Sequence, residues 1–98
     1  IATGEVDVIA GYTSDGLIAR YGLTVLDDSR HVIPPYDAIV LLAPRRAHDA
    51  KLRDALRPLL GKIDIRLMRE ANLRASGSDA NSSPMAVARW MWTKISEK

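Results

Sequence analysis

Apolar residues in the first half of the chain occur in short runs separated by polar turns. The runs are residues 5–10 (EVDVIA), 23–26 (LTVL) and 38–43 (AIVLLA). Residues 5–10 alternate between charged and apolar side chains and then become fully apolar, and residues 38–43 are the most apolar of the three runs. Runs of this length between turn residues are typical of largely buried strands. We therefore predict three short strands.

Two glycines are placed to end helical turns near the start of the chain. Gly22 is suited to close a short helix that Asp15 (or Ser14) caps at its other end. Gly4 is placed to follow the last turn of another helix, formed by residues 1–3. A chain that opens in this way is expected to be a fragment or a cut product.

The second half of the chain has apolar residues at helical spacing. Pro44 suits the first position of a helix whose apolar stripe is Leu52, Ala55, Leu56, Leu59 and Leu60. Pro58 lies within that stripe and is expected to kink the last turn. Asp64 is placed to cap a second helix, whose apolar residues are Ile65, Met68 and Ala71. Ser83-Pro84 starts a third, whose apolar side consists of Val87, Trp90, Met91 and Ile95.

Composition indicates one small globular domain without a nucleic-acid partner. The 98 residues are 47% hydrophobic and 27% charged, and 14 basic against 12 acidic residues give a net charge of +2. The main basic cluster interleaves with Asp49 and Asp54, which favours ordinary helix pairing; its members are Arg45, Arg46, Lys51, Arg53 and Arg57. The absence of cysteine excludes disulfides and thiolate metal sites.

Catalytic and metal-binding patterns are weak in this sequence. His31 and His48 are the only histidines, and neither is followed four positions later by an Asp, Glu or His, so we expect no metal and no cofactor. His31 beside Asp27 and Asp28 is a candidate acid–base group, although such a cluster is more often a solvated turn. Ser14 lacks the Gly-x-Ser-x-Gly context of an activated nucleophile. We expect no catalytic residue and no enzyme.

Tyr12 and Tyr36 are the more informative residues, because each lies in a loop directly beside an apolar run. Aromatic ring faces attract a small cation without supplying a charge. Pro34-Pro35 stiffens the backbone that presents Tyr36, and the sequence leaves open whether one of these peptide bonds is cis. The alternative for either tyrosine is simple packing.

These segments resemble a known family. GEVDVIAGYTSDG and VLDDSRHVIPPY, continued by LRDALRPLLGKID and MAVARWMW, are similar to the C-terminal portion of osmoprotectant-type substrate-binding proteins of ABC importers. The resemblance implies an α/β chain from a two-lobed type II periplasmic binding protein fold, with short strands followed by three helices. It treats residues 1–98 as one fragment of a substrate-binding domain. Within it, residues 1–25 end the second lobe, 26–36 return through the hinge, and 37–98 form the C-terminal part of the first lobe.

The resemblance also implies a function as the solute-binding component of an importer for glycine betaine, choline or carnitine. Tyr12 and Tyr36 match two aromatic residues that surround the quaternary ammonium by cation–π contact, while Thr13 and Asp15 match the same motif and shape its loop. YTSDG reverses the Ser-Thr order expected of the family. The implied partners are an ABC permease and the missing N-terminal half of the same protein, or a second copy. The implied location is periplasmic, or otherwise extracytoplasmic and membrane-associated.

An alternative hypothesis is a sensor or interaction domain of related fold that binds another small amine or a protein partner. In an interaction domain, the two tyrosines belong to the core. The basic helix or Trp92 then contacts the partner.

Overall fold

The computed structural model describes residues 1–97, which form four α-helices and three 3₁₀ turns. The helices are α1 (Gly16–Tyr21), α2 (Ala50–Leu56), α3 (Ile65–Ala75) and α4 (Pro84–Ser96). The 3₁₀ turns are Pro44–Arg46, Arg57–Leu59 and Ala80–Ser82. The chain divides into two compact units, one of which joins Ile1–Val25 to the segment from Gly61 onwards, while the other is Leu26–Leu60.

Each α-helix begins at a side chain that accepts a hydrogen bond from an otherwise unsatisfied N–H of the first turn. The caps are Asp15, Asp49, Asp64 and Ser83, which accept from Leu17, Leu52, Leu67 and Ala86 at 2.9, 3.0, 2.8 and 3.2 Å. The predicted caps of α1, α3 and α4 are thus confirmed, with Asp15 rather than Ser14 at α1. Gly22 ends α1 at φ 59°, a left-handed conformation that suits glycine.

The three predicted strands are wrong for the part of the chain that the structure describes. Residues 5–10, 23–26 and 38–43 lie outside regular secondary structure, and no residue among 1–97 forms a strand. Their apolar side chains are mostly exposed, with Val8, Ile39 and Leu41 at 73, 73 and 82%. A strand exists only where a neighbour completes its backbone hydrogen bonds, and these segments do not pair with one another. The hydrophobic pattern identified apolar segments outside the helices, but it could not show whether they pair with each other as strands.

The predicted helix from Pro44 is also not continuous. Pro44–Arg46 is a 3₁₀ turn, and the α-helix starts only after the cap at Asp49. The α-helix ends at Leu56, two residues before Pro58, and the chain then forms a second 3₁₀ turn. Proline has no N–H to donate to the preceding turn, which explains why the predicted kink appears as the end of the α-helix.

Residues 1–4 form a single turn rather than the end of a helix. The Gly4 N–H donates to the carbonyl of Ile1 at 3.1 Å, and Gly4 has φ 78°. The positive φ expected of this glycine is therefore present. The helix expected before it is not.

The first unit is built around α3, which packs against both α1 and α4. Its most buried apolar side chains are Ala71, Val87 and Ile95, at 2, 5 and 7% exposure. The guanidinium of Arg74 lies over the Trp90 ring at 4.0 Å, a cation–π contact between α3 and α4. Trp90, which was predicted on the apolar side of α4, is half-buried, whereas Trp92 is 51% exposed.

The second unit contains α2 and the apolar segment before it. A groove of about 300 Å³ lies between them, lined by Val40, Leu42, Arg53, Leu56, Arg57 and Leu60. Two members of the basic cluster form surface ion pairs, Arg46 with Asp49 at 2.9 Å and Arg57 with Asp54 at 3.4 Å. These ion pairs agree with the prediction that the basic cluster pairs with nearby carboxylates of the same segment.

Candidate functional site

The YTSDG segment forms a tight turn that leads directly into α1. The N–H of Asp15 donates to the carbonyl of Tyr12 at 3.0 Å, which closes the turn. The carboxylate of Asp15 faces the other way and accepts from Leu17 as the helix cap. Asp15 therefore shapes the loop through its backbone and its side chain at once. Tyr12, at the start of the turn, is 66% exposed.

Helix α3 holds this turn through two side chains. Arg69 donates from Nε to the carbonyl of Thr13 at 2.6 Å, and Asn72 donates from Nδ2 to the carbonyl of Ser14 at 2.8 Å. The two donors are three positions apart, so they lie on the same face of the helix. Two consecutive carbonyls of the turn are thereby satisfied by a segment more than fifty residues away in sequence.

A third contact fixes how closely α1 approaches α3. Gly16 is buried, and a Cβ built on it would lie 2.6 Å from the Cα of Leu73 and 2.8 Å from its Cβ. Carbon atoms normally stay about 3.5–4.0 Å apart, so only glycine permits this approach. Below, "the α3 anchor" means Arg69, Asn72 and Leu73 together.

Tyr36 lies in the second unit, after a loop that is organised by Asp28. The Asp28 carboxylate accepts from the N–H of Ile33 at 2.7 Å, and the carbonyl of Asp28 accepts from the N–H of His31 at 3.0 Å. His31 takes φ 51°, which is uncommon for a residue other than glycine. These bonds define the backbone that enters the double proline before Tyr36.

Backbone N–H groups lower the pKa of Asp28. The N–H of Ile33 has the largest effect, and those of Val32 and Arg30 act in the same direction, because each stabilises the charged carboxylate. The acid–base cluster considered for this turn therefore has a structural explanation, in which Asp28 holds the loop. Tyr36 itself is 85% exposed, and all peptide bonds among the described residues are trans, including those before Pro34 and Pro35.

The structure brings three of the four candidate ligand-binding residues together, since Tyr12, Thr13 and Asp15 share one turn. Tyr36 belongs to the other unit. Arg69 and Asn72, which bind two carbonyls of the turn, were not predicted from the sequence. Their spacing on one face of α3 was visible in the sequence, but nothing local pointed to backbone carbonyls as their partners.

No group of three or more potential metal ligands occurs within residues 1–97. Over the same residues, no helix combines the length and apolar character needed to cross a membrane.

Residues 1–93 match the family described as the substrate binding domain of ABC-type glycine betaine transport system. Because the match covers nearly the whole chain, the chain belongs to this family. The resemblance to osmoprotectant substrate-binding proteins is therefore confirmed. Membership implies a periplasmic binding protein fold, to which the described residues contribute helices and extended segments rather than strands.

Two curated relatives narrow the comparison. The chain is 34% identical over 79 residues to the carnitine transport binding protein OpuCC of Listeria monocytogenes serotype 1/2a (strain 10403S), and equally to the protein of that name from Listeria monocytogenes. The aligned region covers 79% of this chain but 25% of each relative. The chain thus spans about a quarter of the length of the curated relatives it matches. No solved structure matches it.

Proposed function

We propose that this chain forms the C-terminal part of the solute-binding component of an ABC importer for quaternary-ammonium compatible solutes. The ligands would be glycine betaine, choline or carnitine, delivered to the permease without chemical change. The observation that carries the proposal is the family match over residues 1–93, together with the defined turn that presents Tyr12 within them. A location outside the cytoplasmic membrane follows from this role.

Tyr12 and Tyr36 are proposed as two rings of a cation–π box. A quaternary ammonium has no N–H to donate and a diffuse charge, so hydrogen bonding and ion pairing select it poorly. A ring face contributes about 0.5–1 kcal/mol when exposed and about 2 kcal/mol or more once desolvated. Both tyrosine side chains are largely exposed here. This exposure supports a role in which the ligand and another part of the receptor cover the rings on binding. Thr13 and Asp15 act by shaping the turn.

The rest of the receptor is expected to complete the site. Two desolvated rings at about 2 kcal/mol each provide about half of the roughly 8 kcal/mol that micromolar affinity requires. The exposed apolar runs 5–10 and 38–43 support a role as strands that pair with further segments of the same protein, or with a second copy. The division implied by the resemblance stays a proposal: residues 1–25 end the second lobe, 26–36 form the hinge and 37–98 belong to the first lobe. Because α1 packs against α3 within one compact unit, this division makes their contact one between the two lobes.

Calorimetric titration of the complete gene product with glycine betaine, choline and carnitine tests the proposal. Saturable binding of at least one of them is expected. Tyr12→Ala and Tyr36→Ala should each weaken Kd about fivefold or more, the equivalent of at least about 1 kcal/mol. Tyr12→Phe should retain most of the affinity, because it keeps the ring face.

Tyr21→Ala is the matched control, because Tyr21 lies in α1 of the same unit but outside the turn. It should leave Kd unchanged. A folded protein that gives no binding heat with any of the three solutes would overturn the proposal and favour an interaction domain in which both tyrosines serve packing.

A further inference from the structure

The Tyr12 turn has no regular secondary structure of its own, yet α3 holds two of its four residues and its exit into α1. The carbonyls of Thr13 and Ser14 accept from Arg69 and Asn72, and the chain enters α1 where Gly16 touches Leu73. A turn of four residues that is fixed at two adjacent positions and at its exit has little freedom to rotate as a unit. Its geometry is therefore determined by α3.

The bond from Arg69 is well suited to this task. Its N–O distance of 2.6 Å is at the short end for a hydrogen bond, as expected when the donor is charged. Arg69 is half-buried, and its planar guanidinium can donate in only a few directions. Asn72 is half-buried too, so its amide competes with less water than it would on an open surface.

We infer that the α3 anchor is the positioning element of the Tyr12 ring. Arg69 and Asn72 are positioning residues, which set the orientation of the ring toward the ligand without touching the ligand. The inference rests on the proposed function, in which Tyr12 contacts a quaternary ammonium. It predicts that a change on a helix remote from the ring alters affinity through the backbone of residues 12–15.

Two variants of the complete gene product remove the two donors separately. Arg69→Met keeps the length of the side chain without its N–H groups, and Asn72→Asp keeps the size but replaces the donating amide with a carboxylate. Arg66→Met is the matched control, because Arg66 is an exposed arginine of the same helix, and the described hydrogen bonds from α3 to the turn come from Arg69 and Asn72. It reproduces the loss of one positive charge from α3.

The first measurement needs no ligand. Backbone amide chemical shifts and hydrogen exchange of residues 12–15 should change in Arg69→Met and in Asn72→Asp, and should stay as in the wild type in Arg66→Met. Unchanged amides in both anchor variants would overturn the inference, whatever the ligand. Because this readout is independent of solute, it separates failure of the anchor from failure of the proposed function.

The second measurement is the Kd for glycine betaine, choline and carnitine. It is made under conditions in which urea unfolding curves show that each variant is fully folded. Each anchor variant should weaken Kd at least fivefold, and Arg66→Met should remain within twofold of the wild type. Arg69→Lys, which keeps a charged donor of similar reach, should recover part of the loss. A purely structural role would lower stability and leave Kd unchanged, which would contradict the inference. A wild-type protein that binds none of the three solutes would overturn the proposed function, and with it the role of the anchor in ligand binding.

Discussion

Replacing Gly16 by alanine tests the contact between α1 and α3 most directly. The added methyl would lie 2.6 and 2.8 Å from two carbon atoms of Leu73, about 1 Å closer than normal contact. Because one of these is a backbone atom, rotation of a side chain cannot relieve the overlap, and α1 must move. Overpacking of this kind costs about 1–3 kcal/mol. The lower conformational entropy of unfolded alanine returns about 0.5–1 kcal/mol. The free energy of unfolding should therefore fall by about 1 kcal/mol, within a range of about 0–2.5 kcal/mol.

Urea unfolding followed by circular dichroism measures this change, provided the slope of the free energy against urea stays constant. Gly11→Ala is the control, since Gly11 lies just before the same turn and a Cβ there meets nothing within 4 Å. It should be neutral or slightly stabilising. Equal stability of Gly16→Ala and Gly11→Ala would refute the reasoning, because it would mean that α1 and α3 do not approach this closely in solution.

Three further predictions concern local interactions. The pKa of Asp28 is lowered in the folded chain, so its carboxylate supports the loop fully above the ordinary pKa and loses this role as the pH falls through the lowered value. The Ile33 amide proton shift should titrate with that lowered pKa in NMR spectra, and a midpoint at the ordinary value would contradict the assignment. Asp64→Ala removes the cap of α3 and should cost about 1 kcal/mol in urea unfolding, whereas an unchanged midpoint would show that the cap contributes nothing. Ile95→Ala should cost about 2–5 kcal/mol because Ile95 is buried, and Ile65→Ala, at a half-exposed position, should cost less. Equal losses would contradict the described core.

Local chemistry explains which parts of the fold were predictable. A cap such as Asp64 or Ser83 acts on N–H groups two or three residues away, so its effect can be read from neighbouring residues. The same holds for Gly22, whose left-handed conformation ends α1. The buried positions Ala71, Val87 and Ile95 were predictable because spacing alone determines which residues of a helix share a face, whereas Ile65, predicted on the same side as Ala71, is 43% exposed.

The predicted strands and the α3 anchor both depend on partners that are distant in sequence, and local sequence patterns do not identify those partners. An apolar run such as residues 38–43 becomes a strand only when another segment pairs with it. The contact of Arg69 with Thr13 crosses 56 positions, and backbone carbonyls leave no mark in the sequence. Tyr12 and Asp15 could be identified from their motif, whereas the residues that orient them could not. Their assignment to the ligand site remains a prediction.

The sequence separation within the first unit has a consequence for biosynthesis. The Tyr12 turn is translated 56 residues before Arg69, and at about 5–20 residues per second this delay is about 3–11 s. Loop closures of this kind take microseconds or less once both ends are available, so the ribosome rather than the chain sets the interval. During this interval residues 5–10 have been synthesised, whereas α3, which orders the neighbouring turn, has not. The Tyr12 turn can therefore take its final geometry only after the segment that carries Arg69 has been synthesised, in whichever compartment the chain folds.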